Sequence, residues 1–236
     1  MKIKEIEMRS GLTVIVRTLF SEDLNPIMEL QKKVIGALAD TSFLQPLSEE
    51  EFLTILGGNG AMIGAFHDDK LIGFRAMLKP EIDGEHLGLD AGLSKSELPN
   101  VLYSEVSSVD PDYRGNGLQQ ILGKLLLDAI DTQHHRYVFA TVAPFNIASL
   151  KDKFALGMHI VSLKEKYGTL LRYTMMKEIG KNVDENQPNI IVDMSDIEKQ
   201  QSLLSEGWIG VSIEQNNGSW IVNYQKWIQN FTVPVK

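Results

Sequence analysis

Val109-Asp110-Pro111-Asp112-Tyr113-Arg114-Gly115-Asn116-Gly117-Leu118 decides how this chain is read. Before it, Val101-Leu102-Tyr103-Ser104-Glu105-Val106-Ser107-Ser108-Val109 has the β-branched and aromatic content of a strand. After it, Leu118, Ile121, Leu122, Leu125, Leu126, Ala129 and Ile130 recur at i, i+3, i+4, i+7 and i+8, the period of a long amphipathic helix. A strand, a proline turn, a Gly-x-Gly and a helix together make an anion cradle. Glycine lets backbone N–H groups approach a phosphate, the helix N-terminus adds positive dipole, and Arg114 adds formal charge. Asp110 and Asp112 sit on the strand side, placed to cap the turn. No Gly-Lys-Ser/Thr follows, so this is not a P-loop. Gln119 and Gln120 follow where a dinucleotide fingerprint needs its third glycine. A plain glycine turn leading into a core helix is the competing reading of this segment alone.

Outward from this segment the chain alternates strands and helices. Residues 13–20 read as a strand, and Ser21 as the N-cap of a helix reaching about Leu38. Ser48 and Glu51 form a capping box for a second, short helix that ends in Gly57-Gly58-Asn59-Gly60. Strands at 61–66 and 71–78 flank the polar turn His67-Asp68-Asp69-Lys70, and a long polar connection runs from Lys79 to about Asn100. A strand at 137–142, a helix over 146–156 and paired strands near 159–164 and 169–177 complete the main part. A polar linker from Gly180 to Pro188 precedes a smaller β-α-β-β pattern. Its helix opens on a capping box at Ser195 and Glu198, and its hairpin turns at Asn216-Asn217-Gly218. The expected domains are residues 1–180 and a C-terminal extension, 181–236, too small to hold a comfortable core alone.

Composition narrows the chemistry. With 236 residues the chain can bury about 70% of its unfolded surface without staples. It has no cysteine, which excludes disulfides, thiolate metal sites and a cysteine nucleophile. Its 23 Lys+Arg against 31 Asp+Glu leave a net charge of −8, a field that repels polyphosphate and argues against a general nucleic-acid partner. The same field suits a cationic or amine partner. His67, His86, His134, His135 and His159 lack metal-ligand spacing, so no metal is expected. The N-terminus has no apolar h-region and no stretch nears the ~20 apolar residues of a membrane span, so a cytoplasmic setting without a membrane partner is expected.

The order of these elements, with Arg114-Gly115-Asn116-Gly117-Leu118-Gln119, resembles motif A of the GNAT superfamily of N-acetyltransferases. Gln119 departs from that motif's usual small residue. Asn146-Ile147-Ala148-Ser149, followed by Phe154, Gly157 and Met158, resembles motif B. The resemblance covers roughly residues 10–178. It implies an α/β (α+β) fold, a central mixed, twisted β-sheet flanked by helices, here with a small C-terminal β-α-β-β extension. It also implies acetyl-CoA, or another acyl-CoA, as cosubstrate between the strand ending at Val109 and the strand at 137–142. The pyrophosphate would rest on the amides from Arg114 through Gly115, Asn116, Gly117 and Leu118 to Gln119. The pantetheine arm would pair with backbone near Ser107 and Val109 and meet Asn146 and Ser149.

Acyl transfer to an amine needs a base for the nucleophile and an acid for the departing thiolate. The position of the family's frequent tyrosine acid holds Lys153, read here as a solvated helix lysine. Family glutamate positions hold Thr141 and Tyr103. The substitute base is Glu105, whose period-2 spacing to Ser107 and Val109 places all of them on one face. Tyr103 shares that face and is expected to line the acceptor site. The leading functional reading is an N-acetyltransferase acting on a small-molecule or peptide amine. The alternative is a non-catalytic acyl-CoA-binding regulator. Trp208, Trp220 and Trp227 of the C-terminal unit read as core, with a homodimer contact or a lid over the acceptor site as the sharper use of that unit.

Overall fold

β-branched and aromatic runs give strands at each expected place, and a charged segment at the N-terminus adds one more. The computed structural model describes residues 4–38, 45–181 and 188–227. The chain divides into two compact units. The first is Met1–Ala140 with Lys177–Gly180, and the second is Thr141–Met176 with Lys181–Lys236. This division differs from the expected partition at residue 180. Within the second unit, the C-terminal segment pairs with the strand at 159–166, Gly210 opposite Ile160.

In the first unit, β1 (Lys4–Glu7), β2 (Thr13–Thr18), β3 (Gly60–His67), β4 (Lys70–Leu78) and β5 (Val101–Val109) are antiparallel neighbours in that order. β6 (Tyr137–Val142), whose first residues belong to this unit, pairs parallel with β5. β1 was not anticipated, because Lys4-Glu5-Ile6-Glu7 carries too little apolar surface for a strand signal; it is an edge strand whose charges face water. α1 (Leu24–Gly36) and α2 (Glu49–Thr54) bury Ile27, Leu30, Val34 and Phe52 against Phe74, Ala76 and Val106. α4 (Leu118–Asp128) buries Leu118, Leu122 and Leu126. It lies so close to β4 that a Cβ on Gly73 would stand 3.0 Å from Leu118. The connection 79–100 has structure of its own, including α3 (Leu87–Asp90).

The expected cap of α1 is corrected. Ser21 makes no cap; Asp23 is buried, takes a bidentate ion pair from Arg17 at 2.7 and 2.8 Å and accepts from the Phe20 amide. Residues 21–23 therefore form a 3₁₀ turn and α1 starts at Leu24. The capping box at Ser48 and Glu51 is present, with Ser48 N donating to Glu51 at 2.7 Å.

The second unit holds α5 (Ile147–Ala155), β7 (His159–Lys166), β8 (Leu170–Glu178, less its last two residues), β9 (Ile190–Asp193), α6 (Ile197–Ser205), β10 (Trp208–Asn216) and β11 (Ser219–Lys226). The strand order is β8-β7-β10-β11-β9, all antiparallel. Asp196, not Ser195, caps α6 through the Lys199 amide, because the Ser195 hydroxyl and amide turn back to Asp193. Trp208, Trp220 and Trp227 are half-buried rather than core. Lys226 lies 4.9 Å over the Trp208 ring and Lys151 5.0 Å over Trp220, so both rings carry cations on the surface. Most of the expected linker, residues 182–187, lies outside the described residues. No described helix is long and apolar enough to cross a membrane.

A fully satisfied polar knot locks this unit. Gln200 is wholly buried. Its Oε1 accepts from the Tyr173 hydroxyl at 2.6 Å and the Tyr224 hydroxyl at 2.9 Å, while its Nε2 donates to the Met194 carbonyl at 2.8 Å. Gln200→Leu strands two buried hydroxyls and a carbonyl. It should cost about 2–4 kcal/mol in urea unfolding; an unchanged midpoint would show that the knot adds nothing.

Candidate functional site

The site is built where β5 ends. The Asp110 amide continues the ladder by donating to the Ile72 carbonyl at 2.8 Å. Its carboxylate, fully buried, holds Lys33 of α1 at 2.6 Å, Lys70 of the β3–β4 turn at 3.1 Å and the Asp112 amide at 3.1 Å. Burial alone would push the Asp110 carboxyl up, but Lys33, the Asp112 amide and Lys70 together hold it below the usual carboxylate range. Lys33 also takes Asp112 at 2.6 Å. Tyr113 meets His67 of the same turn, its hydroxyl 3.1 Å from Nδ1. That turn itself needs positive φ at Asp68 and Asp69, as tight hairpin turns do.

Beyond this anchor the backbone makes the expected Gly-x-Gly turn. Gly115 (φ 81°) and Gly117 (φ 76°) are both left-handed, and Gly117 caps α4. Asn116 pins the turn from inside, its Nδ2 donating to the Tyr113 carbonyl at 3.1 Å. Arg114 is exposed and has no ion-pair partner among the described residues. Beneath the first turn of α4 lies Arg75, 1% exposed, donating to the Gln119 carbonyl and to Ser104 Oγ, each at 3.1 Å. The Leu118 side chain packs inward on β4, and the Gln119 amide stays at the helix start. These residues fit a phosphate group: amides freed by left-handed glycines, a helix N-terminus and guanidinium charge.

One neighbour could not be read from the motif. Arg9, from the β1–β2 turn, sets its guanidinium against Gly117, where a Cβ would lie 3.3 Å from Nε and 3.7 Å from Nη2. No local periodicity or spacing links residue 9 to residue 117; only the β1–β2 hairpin brings them together.

β5 itself departs from a uniform strand. Its parallel ladder to β6 runs from Val101–Tyr137 to Tyr103–Phe139 and stops there, although β5 continues to Val109. A bulge shifts its register against β4 between Ala76 and Met77, opposite Ser104–Val106. The half-buried positions 103, 105, 107 and 109 do alternate with buried ones. The bulge nevertheless separates their surroundings, which corrects the expected single face. Ser107 pairs with Arg75, which reaches α4, whereas Glu105 feels the charge of Glu51 on α2. Burial, and then Glu51, push the Glu105 carboxyl up to about 7. Ser107 Oγ is buried without a hydrogen-bond partner, and Val109 pairs with Gly73. Tyr103 is engaged, its hydroxyl accepting from the Leu87 amide at 2.6 Å, so it ties the 79–100 connection to β5.

The motif B residues belong to the second unit. Asn146 caps α5, its side chain accepting from the Ser149 amide at 3.3 Å. Lys153 is corrected from solvated to buried: it is 6% exposed and its Nζ lies 3.3 Å from the buried Asp152. It follows Leu150 by one turn on the inner side of the helix, and the apolar pattern of α5 does not reveal that. Among the described residues no cluster of three or more His, Asp or Glu side chains is arranged to hold a metal ion.

The chain is similar to solved proteins that share one fold. The GNAT domain of PAT from S. lividans aligns with a TM-score of 0.55 at 15% identity, covering 75% of this chain and 97% of that one. The ribosomal-protein-S5-alanine acetyltransferase from Vibrio fischeri aligns at 0.55 and 17%, covering 78% and 100%. A GNAT superfamily phosphinothricin acetyltransferase from Sinorhizobium meliloti, solved in complex with AcCoA, aligns at 0.52 and 20%, covering 73% and 94%. No family model and no curated protein sequence matches the chain. The chain has the GNAT fold, a mixed sheet flanked by helices, as its motifs led one to expect.

The anchor has a pH signature. A depressed carboxyl stabilises the fold above its unfolded pKa, and that contribution is lost as pH falls through the folded value. Asp110→Asn should therefore cost about 2 kcal/mol at pH 7, measured by denaturant unfolding. The deficit should shrink below about pH 4 as the wild-type carboxyl protonates. A deficit that stayed constant to low pH would rule out charge as its origin.

Proposed function

We propose that this protein transfers an acetyl or other acyl group from its coenzyme A thioester directly to an amine. The observation carrying this reading is the left-handed Gly115-x-Gly117 turn at the head of α4, with Arg114 beside it, on the GNAT fold. The thioester supplies the activated acyl group. The chain supplies phosphate-binding amides, a β5 edge whose pairing with β6 ends at Tyr103, and a carboxyl poised near neutrality. With no cysteine in the chain, no acyl-cysteine enzyme forms, and the amine nitrogen attacks the thioester carbonyl itself. The nitrogen–carbon bond forms, the carbon–sulfur bond breaks, and the amine proton passes, directly or through water, toward Glu105. A base with a pKa of about 7 combines a useful ionised fraction with useful basicity at neutral pH. The acceptor in this reading is a small-molecule or peptide amine, and the acidic net charge of the chain suits it.

A second reading, a non-catalytic acyl-CoA-binding regulator, is favoured by one observation. The motif B position that often carries a tyrosine acid holds Lys153, buried against Asp152. Turnover separates the two readings. An amine panel should release free thiol from acetyl-CoA, whereas binding without any release would select the regulator.

Glu105→Gln should lower kcat by about 100-fold or more without weakening coenzyme A binding. The wild-type rate should rise with pH through about 7, because the base acts when ionised, and that limb should vanish in the variant. A pH profile identical in both would remove Glu105 from the reaction. Gly117→Val forces a β-branched residue to φ 76° and into the Arg9 guanidinium, so calorimetry should find no coenzyme A binding.

A further inference from the structure

We propose that the N-terminal hairpin completes the coenzyme site, with Arg9, set against Gly117, binding the pyrophosphate. The hairpin is built to hold this residue in place. The Gly11 amide donates to the Met8 carbonyl at 2.9 Å and the Met8 amide to the Leu12 carbonyl at 2.8 Å, with Gly11 left-handed at φ 79°. That is a type I turn followed by a glycine bulge, and Arg9 is its first corner residue. Met8 is 3% exposed and anchors the turn in the core, while Arg9 itself is exposed.

The guanidinium spends its reach on Gly117, within 3.3–3.7 Å of where a side chain there would begin. It has no ion-pair or hydrogen-bond partner among the described residues, in a chain whose acidic groups outnumber its basic ones by 31 to 23. Lys33 and Lys70, which meet the start of this turn, are already taken by Asp110 and Asp112. Among the described residues, Arg9 and Arg114 are cations without an ion-pair partner that can meet an anion on the Gly117 amide. A pyrophosphate offers both of them oxygens, and a guanidinium binds such oxygens as a fork.

This inference rests on the coenzyme reading above, and calorimetry with coenzyme A and dephospho-coenzyme A tests the two separately. Arg9→Ala should weaken both ligands by the same factor, about tenfold or more, with Arg9→Lys between it and the wild type. Thermal unfolding of both variants should match the wild type, since the side chain is exposed. Wild-type binding with Arg9→Ala unchanged overturns the role of Arg9 and leaves the coenzyme reading standing. A loss confined to coenzyme A would put Arg9 on the 3′-phosphate and overturn the pyrophosphate assignment. A wild-type protein that binds neither ligand overturns both.

Discussion

The buried carboxylate of Asp110 is the constraint on which the rest of the site depends. It stands where the β5 backbone leaves the sheet, and it ties together α1 through Lys33, the β3–β4 turn through Lys70 and its own turn through the Asp112 amide. An isolated carboxylate with no solvent exposure would be prohibitively costly, so these partners are obligatory. Once they are in place the chain has one direction out of β5. The direction of Gly115, Gly117 and the axis of α4 follow from it. Tyr113 against His67 fixes the same segment from its other side.

A second constraint is the unfinished pairing of β5. A parallel ladder that stops at Tyr103 and Phe139 leaves the strand continuing without a β6 partner as far as Val109. Backbone N–H and C=O groups in such a place seek another partner. Under the proposed reading the pantetheine amides serve as that partner. The bulge opposite Ser104–Val106 serves the same end differently, by aiming Glu105 toward α2 while Ser107 stays with Arg75. In that reading, binding and proton transfer come from neighbouring residues of one strand, separated by a single irregularity.

How far the sequence reveals this varies with the physics. The strand–turn–helix of residues 101–128 is plain, because two glycines, a proline and an apolar period of 3.6 act locally. The I′-like turn at Asp68-Asp69 and the capping box at Ser48 are legible for the same reason. Local rules misplace the start of α1 because Arg17, six residues before Asp23, competes for the side chain that those rules assign to a cap region. The burial of Lys153 is not legible, since a helix lysine looks solvated until the fold puts it beside Leu150 and Asp152. The bulge in β5 depends on the β4 register, and Arg9 on a hairpin that closes over residue 117. Neither is written in any local pattern.

The overall charge of −8 and a phosphate cradle look contradictory, and distance resolves the contradiction. At physiological ionic strength the field of an exposed charge fades over about 8 Å. What an incoming anion meets is therefore the local set, not the net sum. Locally, the acids nearest the turn, Asp110 and Asp112, are already matched to Lys33 and Lys70, while Arg114 is unmatched. The turn is thus locally positive on an acidic chain. Under the proposed reading, such an arrangement suits a ligand carrying a few phosphates at one end and an uncharged thioester at the other. In the same reading the acidic remainder favours a protonated amine on approach. That amine must lose its proton before it reacts, which is the step assigned to Glu105.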